Sequence, residues 1–511
     1  MIERIVTVGG FTLLSRITGF IRDIILAAVL GAGPVADAFF VALRLPNHFR
    51  AIFAEGAFNA AFVPSYARIR EQNGAQRAAL FADRVFTLLL ASQIVLLAVA
   101  LVFTPAVLDV LAPGFRKDPG RFTLAVELTR ITFPYLLLVT LVTLYGGILN
   151  ALQRFAAAAA APILLNLSLI LALALAAFFP SAGHAAAWGV FAAGIFELLL
   201  VAGEAWRVGA LAKFRWPEFD ADVKQFFRAL APATVGSMGV QLAMFADTII
   251  ASFLPAGAIS ALYYADRLNQ LPIGVIGIAA GTVILPEMSR RLAAGDAAGA
   301  AHAQSRAVEL TLLLSIPCLA AFLVIPELIM RALFMRGAFS AADAAAAGHT
   351  LAAYAVGLLP FVLIRSAVAT FFARGDTATP VKAALIGVAV NIAFKIALMG
   401  PLAQVGLALA TSIGAWINLA LIVYFAHRAG YMTIDARLRR SALKLIAAGI
   451  ALAVVLALVK TPLLRALEGI RLRDIAALAA LAALGGALYG GIIVWLFGPA
   501  WLAAFRAKRR V

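Results

Sequence analysis

The sequence predicts an all-α integral membrane protein with about fourteen transmembrane helices. Of its 511 residues, 64% are apolar and only 13% are charged, whereas soluble domains devote about a quarter of their residues to charge. The mean hydropathy is +0.99, and apolar stretches of ~20 residues, the length that crosses a bilayer, recur along the whole chain. A soluble core could not bury this much apolar surface.

The apolar windows place fourteen spans, with both termini on one side of the membrane. The first window carries Arg16, Arg22 and Asp23 and lacks a convincing cleavage site, so we interpret it as a span and not as a signal peptide. The predicted spans cover residues 5–30, 36–67, 84–111, 122–150, 158–179, 185–206, 226–254, 258–288, 307–334, 345–373, 381–400, 404–426, 441–461 and 474–499.

The lysine and arginine residues indicate the orientation of these spans. With the N-terminus in the cytoplasm, the inner loops and span ends hold 25 of them, whereas the outer side holds nine, Arg121 among them. This asymmetry follows the positive-inside rule and predicts a multi-pass inner-membrane protein with both termini cytoplasmic. It also accounts for the formal net charge of +17 without a nucleic-acid partner.

A weak internal repeat divides the chain. Three short patterns recur at an offset of 224 residues, which predicts two six-helix lobes in parallel orientation, a plan common in transporters. We expect an N-terminal lobe at residues 1–215, a C-terminal lobe at 216–430, and two additional helices with a basic tail at 431–511. The matched residues are Asp23 with Asp247, Gly33 with Gly257, and Phe39-Phe40 with Tyr263-Tyr264.

Eight basic residues fall inside the predicted spans. An arginine in mid-membrane costs about 2.5–3.5 kcal/mol and normally faces a partner or a polar cavity. The first two spans hold four arginines against the three acids Asp23, Asp37 and Glu55. Such a surplus implies an anion from outside the protein, and arginine suits phosphate because its planar fork donates two hydrogen bonds at once. The eight are Arg16, Arg22, Arg44, Arg50, Arg130, Arg267, Arg365 and Lys395.

Helical spacing groups some of these charges. Arg16 and Asp23 are seven residues apart and share a helix face, as do Asp37 and Arg44. In the second span Pro46 removes a backbone hydrogen bond beside Asn47 and Arg50, and irregular backbone at membrane depth suits a cavity lining. The alternative is that the acids neutralise the arginines and lock the first two helices together.

The remaining polar residues carry less information. Asp247, Asn391 and Lys395 are intramembrane and could form one network, whereas the five histidines are scattered, mostly near loops, and Glu197 sits near a span end. One cysteine, Cys318, excludes a disulfide framework. Nucleotide-binding loops, zinc-protease helices and serine-hydrolase elbows are all missing from the sequence, so we predict a transporter and not an enzyme, without cofactor.

Several motifs resemble the MurJ (MviN) family of lipid II flippases, a branch of the multidrug, oligosaccharidyl-lipid and polysaccharide exporter superfamily. The N-terminal block is long and specific, and the resemblance covers essentially the whole chain. The motifs are Ser15-Arg16-Ile-Thr-Gly19-Phe-Ile-Arg22-Asp23, Gly31-Ala-Gly33, Asp37-Ala-Phe39-Phe40, Leu45-Pro46-Asn47, Phe53-Ala-Glu55-Gly56-Ala-Phe58, Phe62-Val-Pro64, Tyr263-Tyr264-Ala-Asp266-Arg267-Leu268 and Thr377-Ala-Thr-Pro-Val-Lys382.

This resemblance implies that the chain moves lipid II, the undecaprenyl-pyrophosphate-linked peptidoglycan precursor, from the cytoplasmic to the periplasmic leaflet by alternating access. It implies two lobes around a central cavity, a lipid-tail groove on the last two helices, and lipid II, membrane lipid and cell-wall synthesis proteins as partners. Residues that match functional positions of the family are Arg16, Arg22, Arg50, Arg267, Asp37 and Glu55. Asp23, Arg44 and Asn47 complete the predicted substrate site on the spacing argument.

One departure concerns sodium. Some members of the family use an acid in helix 7 with an asparagine and a second acid in helix 11, whereas here Lys395 occupies the second acid's position beside the matching Asp247 and Asn391. An ammonium group there would replace the cation, so we predict no metal site. Sodium-dependent transport in reconstituted vesicles that Asp247→Asn abolishes would contradict this prediction.

Two rival functions remain. One is export of another polyprenyl-pyrophosphate oligosaccharide or of drugs, although cationic drugs fit poorly with clustered arginines. The other is a non-transporting membrane scaffold, which predicts a dry, charge-neutral interior and tolerance of arginine loss.

Overall fold

The computed structural model describes residues 2–53, 57–432, 435–498 and 501, and within these ranges it is helical without strands. Short 3₁₀ turns lie at Pro113–Lys117 and Ala176–Phe178, and a π-helical turn at Ile273–Gly277 joins α10 to α11. The helices are α1 Ile2–Leu30, α2 Pro34–Phe53, α3 Ala57–Val102, α4 Thr104–Leu111, α5 Pro119–Thr132, α6 Pro134–Ala151, α7 Ala156–Ala174, α8 Ala182–Arg207, α9 Ala221–Ser252, α10 Ala258–Pro272, α11 Ile278–Ala293, α12 Ala297–Val324, α13 Pro326–Phe334, α14 Ala341–Ala355, α15 Leu358–Phe372, α16 Ala378–Arg428, α17 Ala436–Ala466 and α18 Arg473–Phe497.

The helices confirm an all-α membrane protein. In the described part of the chain, nine helical stretches are long and apolar enough to cross a bilayer, two of them formed by the pairs α5–α6 and α14–α15. Two of the nine, α3 and α16, contain a non-helical residue, Gly74 (φ 85°) and Ala403 (φ 46°) respectively. The break at Ala403 separates the predicted eleventh and twelfth spans. The number of fourteen spans is consistent with these helices and stays a prediction.

Polar side chains at the helix starts explain several boundaries. The carboxylate of Asp220 accepts from the Val223 amide at the start of α9, and that of Asp435 accepts from the Leu438 amide at the start of α17. Such caps satisfy backbone donors that have no partner within the helix. Ser340 begins α14 with a capping box to Asp343.

By contacts, the chain forms two compact units, Met1–Ser260 with Arg336–Phe339, and Ala261–Met335 with Ser340–Val511. The first contains a cluster of aromatic rings on α3 and α9, in which Phe62 lies 5.1 Å from Phe58, 5.6 Å from Phe81 and 6.1 Å from Phe226, whose ring it meets edge-on. This cluster packs α9 against α3. The lobe boundaries at residues 215 and 430 stay predictions.

Ion pairs hold the α8–α9 connection against α3 in the same unit. Arg84 pairs with Glu218 and Asp220, Arg77 reaches Asp220 at 3.0 Å, and Arg215 reaches Asp83 at 2.9 Å. Several of the basic residues that set the predicted orientation therefore have local counter-ions as well.

In the second unit, the last two helices pack on α12 and α13. The Tyr489 hydroxyl on α18 donates to the Leu313 carbonyl at 3.0 Å, and Arg331 on α13 pairs with Asp474 at 3.1 Å. Gly449 on α17 lies against Ile316 without room for a side chain. Specific contacts therefore fix α17 and α18 to their own unit.

The repeat is visible in the helix boundaries. Helices α2 and α10 begin at Pro34 and Ala258, which are 224 residues apart. Each follows a turn with a glycine at positive φ, Gly31 (67°) and Gly257 (89°), a conformation that glycine adopts without steric cost. These two glycines are not at matching positions, because Gly257 matches Gly33, so the repeat is seen in the helix starts and not in the turn conformation.

Candidate substrate site

Asp37, in the first turn of α2, is fully buried and accepts four hydrogen bonds. Its Oδ2 atom accepts from the Arg121 guanidinium at 2.9 Å and from the Gly257 amide at 2.7 Å. Its Oδ1 atom accepts from the amide and the hydroxyl of Ser260 at 2.8 and 2.6 Å. Four donors saturate a carboxylate, so Asp37 is not available to Arg44. It ties the start of α2 to α5 and to the α9–α10 turn.

Arg121, the counter-ion of Asp37, is a residue that sequence analysis missed. We expected it on an outer loop, but it is buried in the first turn of α5, with its guanidinium 3.8 Å from the ring centroid of Phe115. A buried pair is stable only when further hydrogen bonds satisfy both charges, and Arg121 also donates to the Leu254 carbonyl at 3.3 Å. Asp37 and Arg121 are 84 residues apart in the sequence, so no local sequence pattern predicts that they pair.

Arg22 is held by groups on α1 and α7. Its Nε and Nη2 atoms donate to Asp23 Oδ1 at 3.1 and 2.7 Å, and its Nη1 atom donates to Asn166 Oδ1 at 2.9 Å. The Asn166 amide nitrogen donates in turn to the Ser15 carbonyl and the Thr18 hydroxyl, both at 3.0 Å. Asn166, a lone buried amide in an apolar helix, therefore holds α1 and orients the Arg22 guanidinium, and no pattern in the sequence marks it.

Arg16 and Arg44 differ from Arg22. Arg16 is exposed and Arg44 is half-buried, and neither makes a hydrogen bond or ion pair to any residue within the described ranges. Spacing had placed Asp23 beside Arg16 and Asp37 beside Arg44, but these acids are engaged by Arg22 and Arg121. On α1 and α2, Arg16 and Arg44 are therefore cations that the described acids do not neutralise.

Arg50 belongs to a third arrangement on α2, α6 and α8. It interacts electrostatically with both Tyr135 and Glu197. Tyr135 donates to Glu197 at 3.3 Å, and both are almost completely buried. Glu197 is thus an interior acid near the middle of α8, and our expectation that it sits near a span end is wrong.

His48 is an interior residue. We expected most of the five histidines near loops, but His48 is buried, with its ring 4.7 Å from that of Phe245 and its Nε2 atom 3.5 Å from the Thr248 hydroxyl. Both Arg44 and Asp247 act on it electrostatically. Packing of α2 against α9 therefore places Asp247 near the polar face of α2.

The second unit carries the other predicted residues. Arg267 on α10 is exposed, donates to the Tyr263 hydroxyl at 3.1 Å, and lies 4.8 Å from the centroid of that ring. Asn391 and Lys395 lie one turn apart on α16, and Lys395 is buried. Whether they form a network with Asp247 stays a prediction.

Two further residues of the predicted substrate site are Asn47 and Glu55. Asn47 is half-buried on α2 directly after Pro46, and Glu55 lies outside the described residues. Within the part of the chain that the structure describes, no group of three or more His, Cys, Asp or Glu side chains could hold a metal ion.

Comparison with known proteins decides the family. Residues 26–467 match the family model described as "Lipid II flippase MurJ". A "Probable lipid II flippase MurJ" from Rhizobium meliloti (strain 1021) is 44% identical over 427 residues, which cover 83% of this chain and 80% of that protein. The chain belongs to the MurJ family. Another MurJ protein, the "Lipid II flippase MurJ" of Burkholderia cenocepacia, is 34% identical over 432 residues, or 83% of each chain.

Solved structures agree with the fold of the MurJ family. One described as "Lipid II flippase MurJ, inward closed conformation" matches 96% of this chain and 98% of its own length, with a TM-score of 0.80 at 23% identity. An inward-facing multidrug resistance MATE family transporter matches 85% of this chain and 99% of its own length, with a TM-score of 0.65 at 14% identity. The chain therefore shares the fold of these two proteins.

The saturation of Asp37 predicts unequal effects of removing the two partners. Asp37→Ala leaves Arg121 and three other donors without the carboxylate, whereas Arg121→Ala leaves the carboxylate three donors. Breaking a buried pair costs about 3–5 kcal/mol, so we expect Asp37→Ala to lower the Tm of the purified protein more than Arg121→Ala does.

The control for this experiment is Arg116→Ala. Arg116 pairs with Asp109 in an exposed bridge, and exposed pairs contribute little to stability, so we expect an unchanged Tm. A larger loss for Arg121→Ala than for Asp37→Ala would contradict the hydrogen-bond assignment.

Proposed function

We propose that the chain is a lipid II flippase that moves the pyrophosphate-linked precursor across the inner membrane from the cytoplasmic to the periplasmic leaflet. Membership of the MurJ family supports this proposal, as do curated relatives named lipid II flippases. The observation that carries it is the set of arginines on α1 and α2, of which Arg16 and Arg44 have no hydrogen-bond or ion-pair partner among the described residues.

The chemistry of this set fits a diphosphate. A guanidinium stays charged and presents N–H donors in a planar fork that matches phosphate oxygens, and charge-assisted hydrogen bonds are stronger than neutral ones. Asp23 and Asn166 already orient the Arg22 guanidinium, which lowers the entropy lost when an anion binds. We assign Arg16, Arg22 and Arg44 to the pyrophosphate, with Arg50 and Arg267 as further cationic residues of the site.

We propose alternating access as the mechanism. The arginines would bind the pyrophosphate while the site is open to the cytoplasm, and movement of the two lobes would then expose the head group to the periplasm. The bonds of Asp37 constrain this movement because they join the α1–α2 and α9–α10 turns. In the proposed topology both turns lie on the periplasmic side, so outward opening must break these bonds or move both turns together.

Other assignments remain part of the proposal. We place both termini in the cytoplasm, the N-terminal lobe at residues 1–215, the C-terminal lobe at 216–430, and the lipid-tail groove on the helices after residue 430. Cell-wall synthesis proteins are proposed partners, which co-purification from host membranes would test.

The rival functions differ in what they predict for the arginines. A scaffold would tolerate the loss of Arg16, and a drug exporter would prefer cations. An exporter of another polyprenyl-pyrophosphate oligosaccharide would use the same cations, but the family and its named relatives favour lipid II. Depletion of the protein in its host, with identification of the lipid-linked intermediate that accumulates, distinguishes these cargos.

Arg16→Ala should abolish most flipping. A hydrogen bond to a charged group contributes about 1.5–3 kcal/mol, so we expect a loss of about tenfold or more in lipid II translocation by proteoliposomes. Arg16→Lys should retain part of the activity because it keeps the charge without the fork.

Arg428→Ala, at the exposed end of α16, serves as the control and should remain fully active. Full activity of Arg16→Ala in protein that is inserted normally would remove the proposed mechanism.

Asn166→Ala should weaken substrate binding through Arg22. If Asn166 acts by orienting that guanidinium, the losses of lipid II affinity caused by Asn166→Ala and by Arg22→Ala should not add in a double-mutant cycle. We expect Asn166→Ala/Arg22→Ala to bind no more weakly than Arg22→Ala alone.

Ser168→Ala, at a buried polar residue on the same helix, is the matched control and should bind as the unchanged protein does. Additive losses in the double variant would show that Asn166 only supports the packing of α7.

A further inference from the structure

We propose that a cleft between α1, the α6–α7 turn and the end of α8 binds an anionic phospholipid. The cleft has a volume of about 960 Å³ and lies entirely within the first unit, and ligand sites typically have volumes of about 300–1,000 Å³. Its lining combines apolar side chains, among them Phe11, Phe155 and Leu199, with Arg154, Glu204 and Arg207. None of these residues belongs to the substrate site.

The charges of the cleft match a phosphodiester. Glu204 lies between two guanidinium groups, at 3.7 Å from Arg154 and 3.4 Å from Arg207. Both distances are long for charge-assisted hydrogen bonds, which are normally about 2.7–2.9 Å. One carboxylate shared by two arginines leaves one net positive charge on the described lining, which a singly charged phosphodiester would neutralise. Both arginine side chains are mostly exposed, at 62% and 76%, so they are accessible to a head group.

The neighbouring aromatic and aliphatic residues indicate where the cleft lies across the membrane. Trp206 precedes Arg207 and is 71% exposed, and exposed tryptophan in membrane proteins concentrates at the interface with water. Leu199, two turns back along α8, is 64% exposed, as expected of a side chain facing acyl chains. The arginines therefore lie at head-group level, and the apolar walls continue toward the hydrocarbon.

The backbone at the rim is unusual. Gln153, which lines the cleft, has a φ of 61°, and only one other non-glycine residue in the described ranges, Ala403, has a positive φ. This left-handed conformation is unfavourable for a residue with a side chain. The turn that adopts it directs the chain into Arg154, whose amide donates to the Leu149 carbonyl at 2.8 Å, so a locally unfavourable turn holds this arginine at the rim.

The combination of features selects the occupant. Basic pockets between membrane helices at the interface recognise anionic lipid head groups, whereas a free phosphate would gain nothing from apolar walls that face the bilayer. We therefore assign the cleft to a phospholipid with an anionic head group, such as phosphatidylglycerol, and not to a soluble anion.

The test is native mass spectrometry of the delipidated full-length protein, titrated with phosphatidylglycerol or with phosphatidylcholine of the same chains. We expect one phosphatidylglycerol to bind preferentially. Arg154→Ala/Arg207→Ala should weaken its binding about tenfold and abolish the preference. Since both side chains are exposed, the variant should keep its Tm.

The chain offers a matched control. Arg290 and Arg291 share the carboxylate of Glu287, each at 2.6 Å, and Arg291 also reaches Asp296 at 3.2 Å. Both lie outside the cleft, so Arg290→Ala/Arg291→Ala should leave phosphatidylglycerol binding unchanged. Glu204→Gln removes the competing carboxylate and should tighten binding several-fold.

Three results would overturn the assignment. They are equal binding of the two lipids, unchanged phosphatidylglycerol binding by Arg154→Ala/Arg207→Ala, and displacement of the lipid by millimolar inorganic phosphate, which would identify a site for soluble anions.

Discussion

A guanidinium group inside a bilayer needs a counter-ion, hydrogen-bond acceptors or water, and this requirement organises the first two helices and their neighbours. The structure meets it in different ways. Arg121 is neutralised by a saturated carboxylate, Arg22 is neutralised by an acid and hydrogen-bonded to an amide, and Arg50 interacts with Tyr135 and Glu197. These contacts join α1 to α7, α2 to α5, and α2 to α6 and α8, so the polar groups also determine how the apolar helices pack. Arg16 and Arg44 lack such arrangements in the described chain.

This division separates structural from functional charge. A buried pair with all its hydrogen bonds made holds a fold in place, and removing one partner is costly because the other is left in a poor solvent. A cation without a partner in the protein does not stabilise the fold in this way, and its role is to bind a ligand. Asp37 and Arg121 are of the first kind, and Arg16 is of the second. Arg22 combines both roles because the contacts that satisfy it also orient it.

The sequence was informative wherever the signal was local. Hydropathy gave the membrane class, and Pro401 lies beside the break that divides α16 at Ala403. The surplus of arginines over acids on the first two spans also follows from counting. The 224-residue repeat predicted that α2 and α10 begin at equivalent positions. By contrast, hydropathy placed a loop at residues 68–83, where α3 continues with a single break at Gly74, because helix outside the bilayer carries no apolar signal.

The sequence could not predict which polar side chains pair between different helices. Helical spacing set Arg16 with Asp23 and Arg44 with Asp37, but the carboxylates bind Arg22 and Arg121, because a side chain takes the nearest donor in space and not along its own helix. The contribution of Asn166, 144 residues from Arg22, depends on packing of α7 against α1. A single amide in an apolar span gives no indication of its partner.

The most direct measurement of the proposed role of these arginines is a comparison of equilibrium affinities for lipid II and for an analogue with one phosphate in place of the pyrophosphate. The account predicts that the unchanged protein prefers the diphosphate by about tenfold or more, and that Arg16→Ala/Arg44→Ala binds both equally. If the unchanged protein does not discriminate between the two, or if the double variant keeps the preference, then these arginines do not bind the pyrophosphate.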